Sequence, residues 1–408
     1  MNTEAIQTKP PRIEIIDALR GFALAGICIC HMVEQYIGAG APSIHADVVV
    51  SGLPDQIIEG FIGIFLRGKF IALFSFLFGL SFFIQMDNGA KKGKGFGSRF
   101  LWRLFLLLII GYIHSLFYRG DILTIYALLG IALIPFYKLN TRWVLGISAL
   151  LFLGVGRYMV FYLTGSEHLF LDVDPVDMES AHVMNYYETI KNGSLWDVFK
   201  SNSLEGHLDK MNFQYGIFGR GYFTFAFFLV GLYVGRSGFF SNFRDKRAFT
   251  KKVLIYSLIL FVIAIAIIAG AFLSMGKDFT MNSWPAMVGL AGYDLINLAM
   301  TLFYIALFVM LFRKAKTEKW LLKLAPFGRM ALTNYVTQSL IGTLIFYGWG
   351  FGFLGIVQSR YTFLLAMLII MLQIIISKWW LNRFRYGPLE WLWRSLTFFK
   401  WFPMNREK

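Results

Sequence analysis

The chain has 408 residues, 57% of them hydrophobic and 18% aromatic against 15% charged, with a mean hydropathy of +0.59. These proportions exclude an ordinary water-soluble domain and predict an all-α, polytopic integral membrane bundle, built from apolar runs that each cross about 30 Å of hydrocarbon. The formal charge of +15 does not imply nucleic acid, because the Lys and Arg residues sit in short segments between apolar runs, where topology accounts for them.

Ten spans are predicted, at roughly 13–35, 64–87, 100–118, 121–137, 142–163, 216–236, 251–274, 285–312, 327–347 and 361–382. Alternate loops are basic. Lys91, Lys92, Lys94 and Arg99 fall on one side with Lys138 and Arg142, with Arg244, Lys246, Arg247, Lys251 and Lys252, with Arg313, Lys314, Lys316 and Lys319, and with Arg383, Arg385 and Arg394. The positive-inside rule places these loops and both termini in the cytoplasm. The opposite side holds 47–59 and an acidic insertion at about 164–215, with Glu167, Asp172, Asp174, Asp177, Glu179, Glu188, Asp197, Glu205 and Asp209 against three lysines.

The polar start "MNTEAIQTKPPR" precedes a span without a small-residue cleavage site and reads as an uncleaved signal anchor. Cys28 and Cys30, two residues apart in that span, point to different sides of a helix, which excludes a disulfide or thiolate metal site. The same span carries Arg20 and His31, whose eleven-residue separation is almost three helical turns, or about 16 Å of rise on one face. Asp17 and Glu34 extend this polar stripe. Intramembrane ionisable groups are costly and commonly functional. The structural alternative is that Arg20 snorkels to headgroups and His31 hydrogen-bonds another helix.

The third span repeats the spacing with Arg103 and His114, again running from the inner toward the outer boundary. Arg157 and His168 repeat it once more, but that pair straddles the end of a span, so matched depth distinguishes the first two pairs. Asp121 follows His114 across a short outward turn and either orients its imidazole or caps the next helix. The insertion, with "SAHVMNYYETI" and "SLWDVFKSN", reads as short amphipathic helices over the outer mouth, or as a passive cap.

Later spans add Asp294 with Asn297 one turn on, and Asn334 with Gln338 one turn apart, with Arg329 at the inner end. They either line a cavity or bond between helices. Gly79, Gly111, Gly130 and Gly231 suit close helix approach. The aromatics of "KWWLNRFRYGPLEWLWR" suit a membrane interface. No sequence repeat, metal-ligand histidine spacing, phosphate-binding loop, dinucleotide fingerprint or serine elbow is present. One membrane domain is the simplest organisation.

The segments "RIEIIDALRGFALAGI", "GKFIALFSFLFGLSFFIQM", "RLFLLLIIGYIHSLFYRGDILTIYALLGI", "APFGRMALTNYVTQSLIG" and "RYGPLEWLWRSLTF" together resemble the YeiB-like family, domain of unknown function 418. The matches run from residue 12 to about 398, with a C-terminal family region at about 236–400. That family resembles a branch of the transmembrane acyltransferase superfamily, alongside enzymes that modify cell-surface sugars and the lysosomal heparan glucosaminide acetyltransferase. In the sugar-modifying branch an Arg and a His separated by ten residues on the first helix are important, and Arg20 and His31, with ten residues between them, match that spacing. The resemblance implies a multi-pass protein of the bacterial cytoplasmic membrane, with acyl-CoA as co-substrate and no metal. It implies transfer of an acyl group to an extracytoplasmic or membrane-embedded hydroxyl or amine. Arg20 and Arg103 would then hold the donor's phosphates, and His31 or His114 would act as base beside Asp121. Asp294, Asn334 and Gln338 would line the substrate cavity. Lipid, acyl donor and an unidentified acceptor are the expected partners, and a homo-oligomer is left open. A solute transporter or export channel is the rival reading, and a sensory or scaffolding protein a second.

Overall fold

A chain in hydrocarbon must satisfy its own backbone N–H and C=O groups, and helices do so within one segment. The computed structural model describes residues 13–91, 96–165, 169–170, 177–276 and 280–406. Lys92, Lys94, Glu167, His168, Asp172 and Asp174, named above, lie outside them. Among the described residues the only extended pairing is an isolated bridge between Phe384 and Asn405.

The first helix, α1 (Glu14–Val33), is followed by two short helices, α2 (Ser43–Val49) and α3 (Leu53–Phe61). A single π-helical turn, Ile62–Leu66, continues α3; the chain then breaks at Arg67 and Gly68 and restarts as α4 (Lys69–Ala90). Next come α5 (Phe96–Phe117), α6 (Leu123–Leu133), α7 (Thr141–Phe152) and α8 (Val155–Thr164). The insertion contributes α9 (Ala181–Asn192), α10 (Leu195–Ser203) and α11 (Glu205–Tyr215). The remainder is α12 (Arg220–Arg236), α13 (Arg247–Met275), α14 (Trp284–Phe312), α15 (Ala315–Leu321), α16 (Ala325–Arg329), α17 (Ala331–Phe346), α18 (Ser359–Arg383) and α19 (Pro388–Phe398).

The protein is an all-α membrane bundle. Six helical segments are long and apolar enough to cross a bilayer alone, and eight if the bent pairs α7–α8 (56°) and α11–α12 (63°) each count as one span. The ten predicted spans are therefore not ten equal rods. The fourth is cut to eleven residues because Pro135, which lacks an N–H, opens a 3-10 turn at Pro135–Tyr137. The fifth breaks at Gly154, whose φ of +86° is open to glycine and strained for other residues. The ninth is split at Met330 between α16 and α17.

Burial ranks the helices. In α1, 78% of the span is inside the protein, against 11% in α13, which packs chiefly along α14 and turns Val262 and Leu273 outward. Lipid tails are as apolar as leucine, so helices associate through close packing rather than by hiding oily faces. Glycines supply it: a Cβ on Gly79 would collide with the Phe228 carbonyl, one on Gly231 with the Phe76 carbonyl, and one on Gly328 with the Asp17 carbonyl. Gly111 and Gly130 likewise face Thr124 and Leu104. All four glycines singled out in the sequence thus sit at helix contacts. These contacts draw α4 against α12, α1 against α16 and α5 against α6.

Candidate active site: a buried histidine cluster

His31 occupies the last turn of α1 and is buried. Its Nδ1 lies 3.0 Å from the Tyr118 hydroxyl and 3.9 Å from Glu34. The rings of Tyr118 and Tyr36 sit 5.4 and 5.5 Å from the imidazole. Just beyond, Gln35 and Tyr36 take positive φ values of +48° and +56°, a left-handed conformation that costs a non-glycine residue about 1–2 kcal/mol. Local bonds hold the turn. Gln35 donates to the Val357 carbonyl and accepts from the Gly355 N–H, both at 2.7 Å, while the Tyr347 hydroxyl donates to the Tyr36 carbonyl at 2.7 Å.

His114 ends α5 on the neighbouring wall, with its Nδ1 2.8 Å from Asp121 Oδ1. Both side chains are buried. Asp121 performs the two tasks left open by the sequence. It faces the imidazole, and it accepts from the N–H groups of Leu123 and Thr124 at 3.1 and 3.0 Å and from the Thr124 hydroxyl at 3.0 Å, capping α6. Lys210 of α11 approaches it to 3.9 Å. With an ionised carboxylate at Nδ1, the neutral imidazole carries its proton there and presents Nε2 as a lone pair. The Tyr335 ring packs 5.2 Å from this imidazole, and the Tyr118 ring 6.4 Å away. Tyr118 thus touches both histidines. Among the described residues the Nε2 atoms of His31 and His114, both buried, have no hydrogen-bond partner.

A small cavity of about 40 Å³ lies beside His31, bounded by Cys30, Glu34, Arg67, Gly68 and Phe70. That is room for about one water molecule. Arg67 closes its rim by pairing with Glu34 at 2.7 Å and Glu59 at 3.5 Å.

The insertion is tied down beside the cluster. Arg119 donates to Asp209 at 2.6 Å, to Asn202 at 3.2 Å and to the Ser201 hydroxyl at 2.8 Å, and stacks 3.5 Å over the Tyr186 ring. His182 bridges Asp209 at 2.8 Å and Glu205 at 3.1 Å. α9, α10 and α11 are therefore fastened to the turn that carries Asp121.

The structure brings His31, His114 and Asp121 together and places the other sequence-selected residues elsewhere. Arg20 bonds Asp17 and Ser81, each at 3.0 Å, on the α1–α4 seam. Arg103 stacks 3.6 Å over Trp393 of α19 and takes the indole N–H on its carbonyl at 2.9 Å. The two arginines thus have different partners on different seams and do not form one cradle. Asn334 donates to the Phe327 carbonyl and the Ser377 hydroxyl, both at 3.0 Å, and Gln338 donates to Gln373 at 2.7 Å. Those are bonds from α17 to α16 and α18. Asp294 pairs with Arg157 at 2.6 Å and Arg220 at 3.1 Å.

Sequence reasoning passed over Tyr118, Arg119, Lys210 and Tyr335, and set Arg157 aside. A tyrosine or lysine near a span end is ordinary. Arg119 and Arg157 find their carboxylate partners 90 and 137 positions away, beyond any local spacing. Glu390 was also missed: it accepts from the Leu332 and Thr333 N–H groups at 2.7 and 3.0 Å and caps α17 from α19.

Residues 234–400 match the family described as "Protein of unknown function (DUF418)". The chain is similar to "Uncharacterized protein YxaH" of Bacillus subtilis (strain 168), 29% identical over 97% of this chain and 96% of that protein. It is 25% identical to "Uncharacterized 39.9 kDa protein in amylase 3'region" of Bacillus acidopullulyticus, over 97% of each. It is 26% identical to "Uncharacterized protein YeiB" of Escherichia coli (strain K12), over 94% of this chain and 95% of that one. His31, His114 and Asp121 precede the matched family region but fall within these end-to-end similarities. The DUF418 match over that region, and the likeness to YeiB running through almost the whole of both chains, make this chain similar to the YeiB-like DUF418 proteins.

Proposed function

We propose that this protein is a membrane acyltransferase that moves an acyl group from cytoplasmic acyl-CoA to a hydroxyl or amine presented at the outer end of the bundle. The observation that carries the reading is the His114–Asp121 pair at 2.8 Å, whose second ring nitrogen is buried and without a partner among the described residues. A base held by a carboxylate and shielded from water is what proton abstraction from a weakly acidic acceptor needs. In this scheme His114 Nε2 takes the acceptor's proton while the acceptor oxygen or nitrogen bonds to the thioester carbon. Collapse of the tetrahedral adduct breaks the C–S bond, and the imidazolium returns the proton to the departing thiolate. Tyr118, in contact with both imidazoles, positions His31 beside the reacting centre. Arg20, whose side chain keeps 22% exposure at the inner end of α1, meets the donor's phosphates about 16 Å below. In this reading Arg103, stacked on Trp393, takes no part in donor binding.

The test uses purified full-length protein and acetyl-CoA. The expected result is a rise in melting temperature with acetyl-CoA that Arg20→Ala weakens. Labelled acetyl groups should also pass into a membrane extract, and His114→Ala should slow this at least about 100-fold. Indifference to CoA together with undiminished transfer in His114→Ala and His31→Ala would defeat the proposal.

The broken helices favour a second reading, solute transport. The break before α4 and the 56° and 63° bends are of the kind that line substrate paths in transporters. Proteoliposomes that move a solute without consuming thioester would select it.

A further inference from the structure

The geometry points to a second site, for a phosphate oxyanion, at the start of α4. Lys69 is the first residue of that helix and only 1% exposed. Its ammonium donates to the Gly63 carbonyl at 3.0 Å and lies 5.6 Å from the Tyr293 ring centre. Among the described residues no carboxylate pairs with it. Arg220 opens α12 and lies 5.2 Å from the same ring. Its carboxylate partner, Asp294 at 3.1 Å, is shared with Arg157 at 2.6 Å. Two guanidinium groups therefore share one carboxylate, and the buried Lys69 ammonium lies by the same tyrosine ring as one of them. Among the described residues Arg157 Nη1, also buried, has no hydrogen-bond partner.

Arg67, next to the break, is already served by Glu34 and Glu59 on the more exposed side. It leaves the Lys69 charge unanswered. A cation at a helix N-terminus also opposes the helix dipole, where an anion is favoured. An excess of positive charge in a membrane interior calls for an anionic ligand. Phosphate suits the donors present, since its tetrahedral oxygens can meet an ammonium as a point charge and a guanidinium as a fork. The approach is lipid-like. Phe61, Ile64 and Phe65, just before the break, are 46%, 56% and 43% exposed. The phosphate thus comes from a phospholipid headgroup or from free phosphate. The assignment concerns binding alone and does not rest on the acyl-transfer reading.

The test titrates detergent-purified full-length protein with inorganic phosphate and, separately, with dioctanoyl phosphatidylglycerol, at an ionic strength matched with sodium chloride, following the melting temperature. A concentration-dependent rise is expected with at least one. A rise with the lipid alone identifies a headgroup site, and a rise with phosphate identifies a free-anion site. Lys69→Met and Arg220→Gln should each raise the half-saturating concentration about tenfold, as loss of a charge-assisted bond does, while Arg220→Lys retains part of the response. No rise with either probe in the wild type overturns the site, as does an equal rise in Lys69→Met and Arg220→Gln. If Lys69→Met does not fold, the wild-type titration and Arg220→Gln decide.

Discussion

Asp121 binds an imidazole with one oxygen and the first turn of α6 with both, so its substitutions separate chemistry from folding. Asp121→Asn keeps an acceptor for the helix but loses the charge that favours imidazolium. Transfer is expected to fall about 100-fold or more with little change in melting temperature. Asp121→Ala removes the cap as well and should cost a further ~1 kcal/mol of stability. Comparing turnover with unfolding in the two variants checks this. Outside the spans, His45 on α2 faces the Tyr187 hydroxyl at 3.0 Å. Burial, helped by the nearby Lys191 charge, lowers its pKa to about 4. An unfolded histidine titrates near 6.5, so between these values the unfolded state binds the extra proton. The stability from neutral His45 is full above about pH 6.5 and is lost as pH falls toward about 4. Hydrogen exchange in α2 and α9 should rise across that window, and His45→Gln should flatten the response. His31, His114 and Asp121 were legible because a charge within an apolar run is conspicuous. Their companion Tyr118 was not, because a tyrosine at a span end has ordinary uses.

Helices were readable as types and misjudged as shapes. Apolar length predicts a span but says nothing of a bend. The bends follow from single residues: Gly154 in a left-handed turn between α7 and α8, Gly68 with φ of +81° before α4, and Pro135 after α6. Each was visible as a residue; its effect depended on neighbours that the local sequence does not reveal. Arg157 is the clearest case, since the bend at Gly154 opens α8, the helix that carries it to Asp294. The glycine contacts were read more fully, because a missing side chain inside an apolar helix has few purposes other than close approach. Gly79→Leu should drive its side chain into the α12 backbone and destabilise the protein by roughly 2–4 kcal/mol. Gly270→Leu is the control: a Cβ there meets nothing within 4 Å, and its effect should stay within about 0.5 kcal/mol. Denaturant unfolding in detergent checks both.

For the molecule as a whole, composition announced the bilayer, but hydropathy could not rank the helices by depth in the bundle. α13 is the most apolar of the six long segments and the least buried, whereas α1 is the least apolar and the most buried. The order reverses that of a soluble protein because lipid welcomes the oiliest helix and polar groups gather at the centre. Orientation was read from loop charge and is open to direct measurement. Cys28 and Cys30 are buried and give little background to a thiol reagent. In spheroplasts an impermeant maleimide is expected to label Lys200→Cys at once and Lys246→Cys only after permeabilisation. The reverse pattern would put the histidine cluster on the cytoplasmic face.

The pairing of Arg157 with Asp294 bears on how this protein is made. The two are 137 positions apart, so a ribosome adding about 5–20 residues per second emits the carboxylate roughly 7 to 27 s after the guanidinium. During that interval the nascent α8 carries a charge whose mate does not yet exist. The segment must wait at the headgroup level or in the care of the insertion machinery, and it can settle to its final depth only once α14 has arrived.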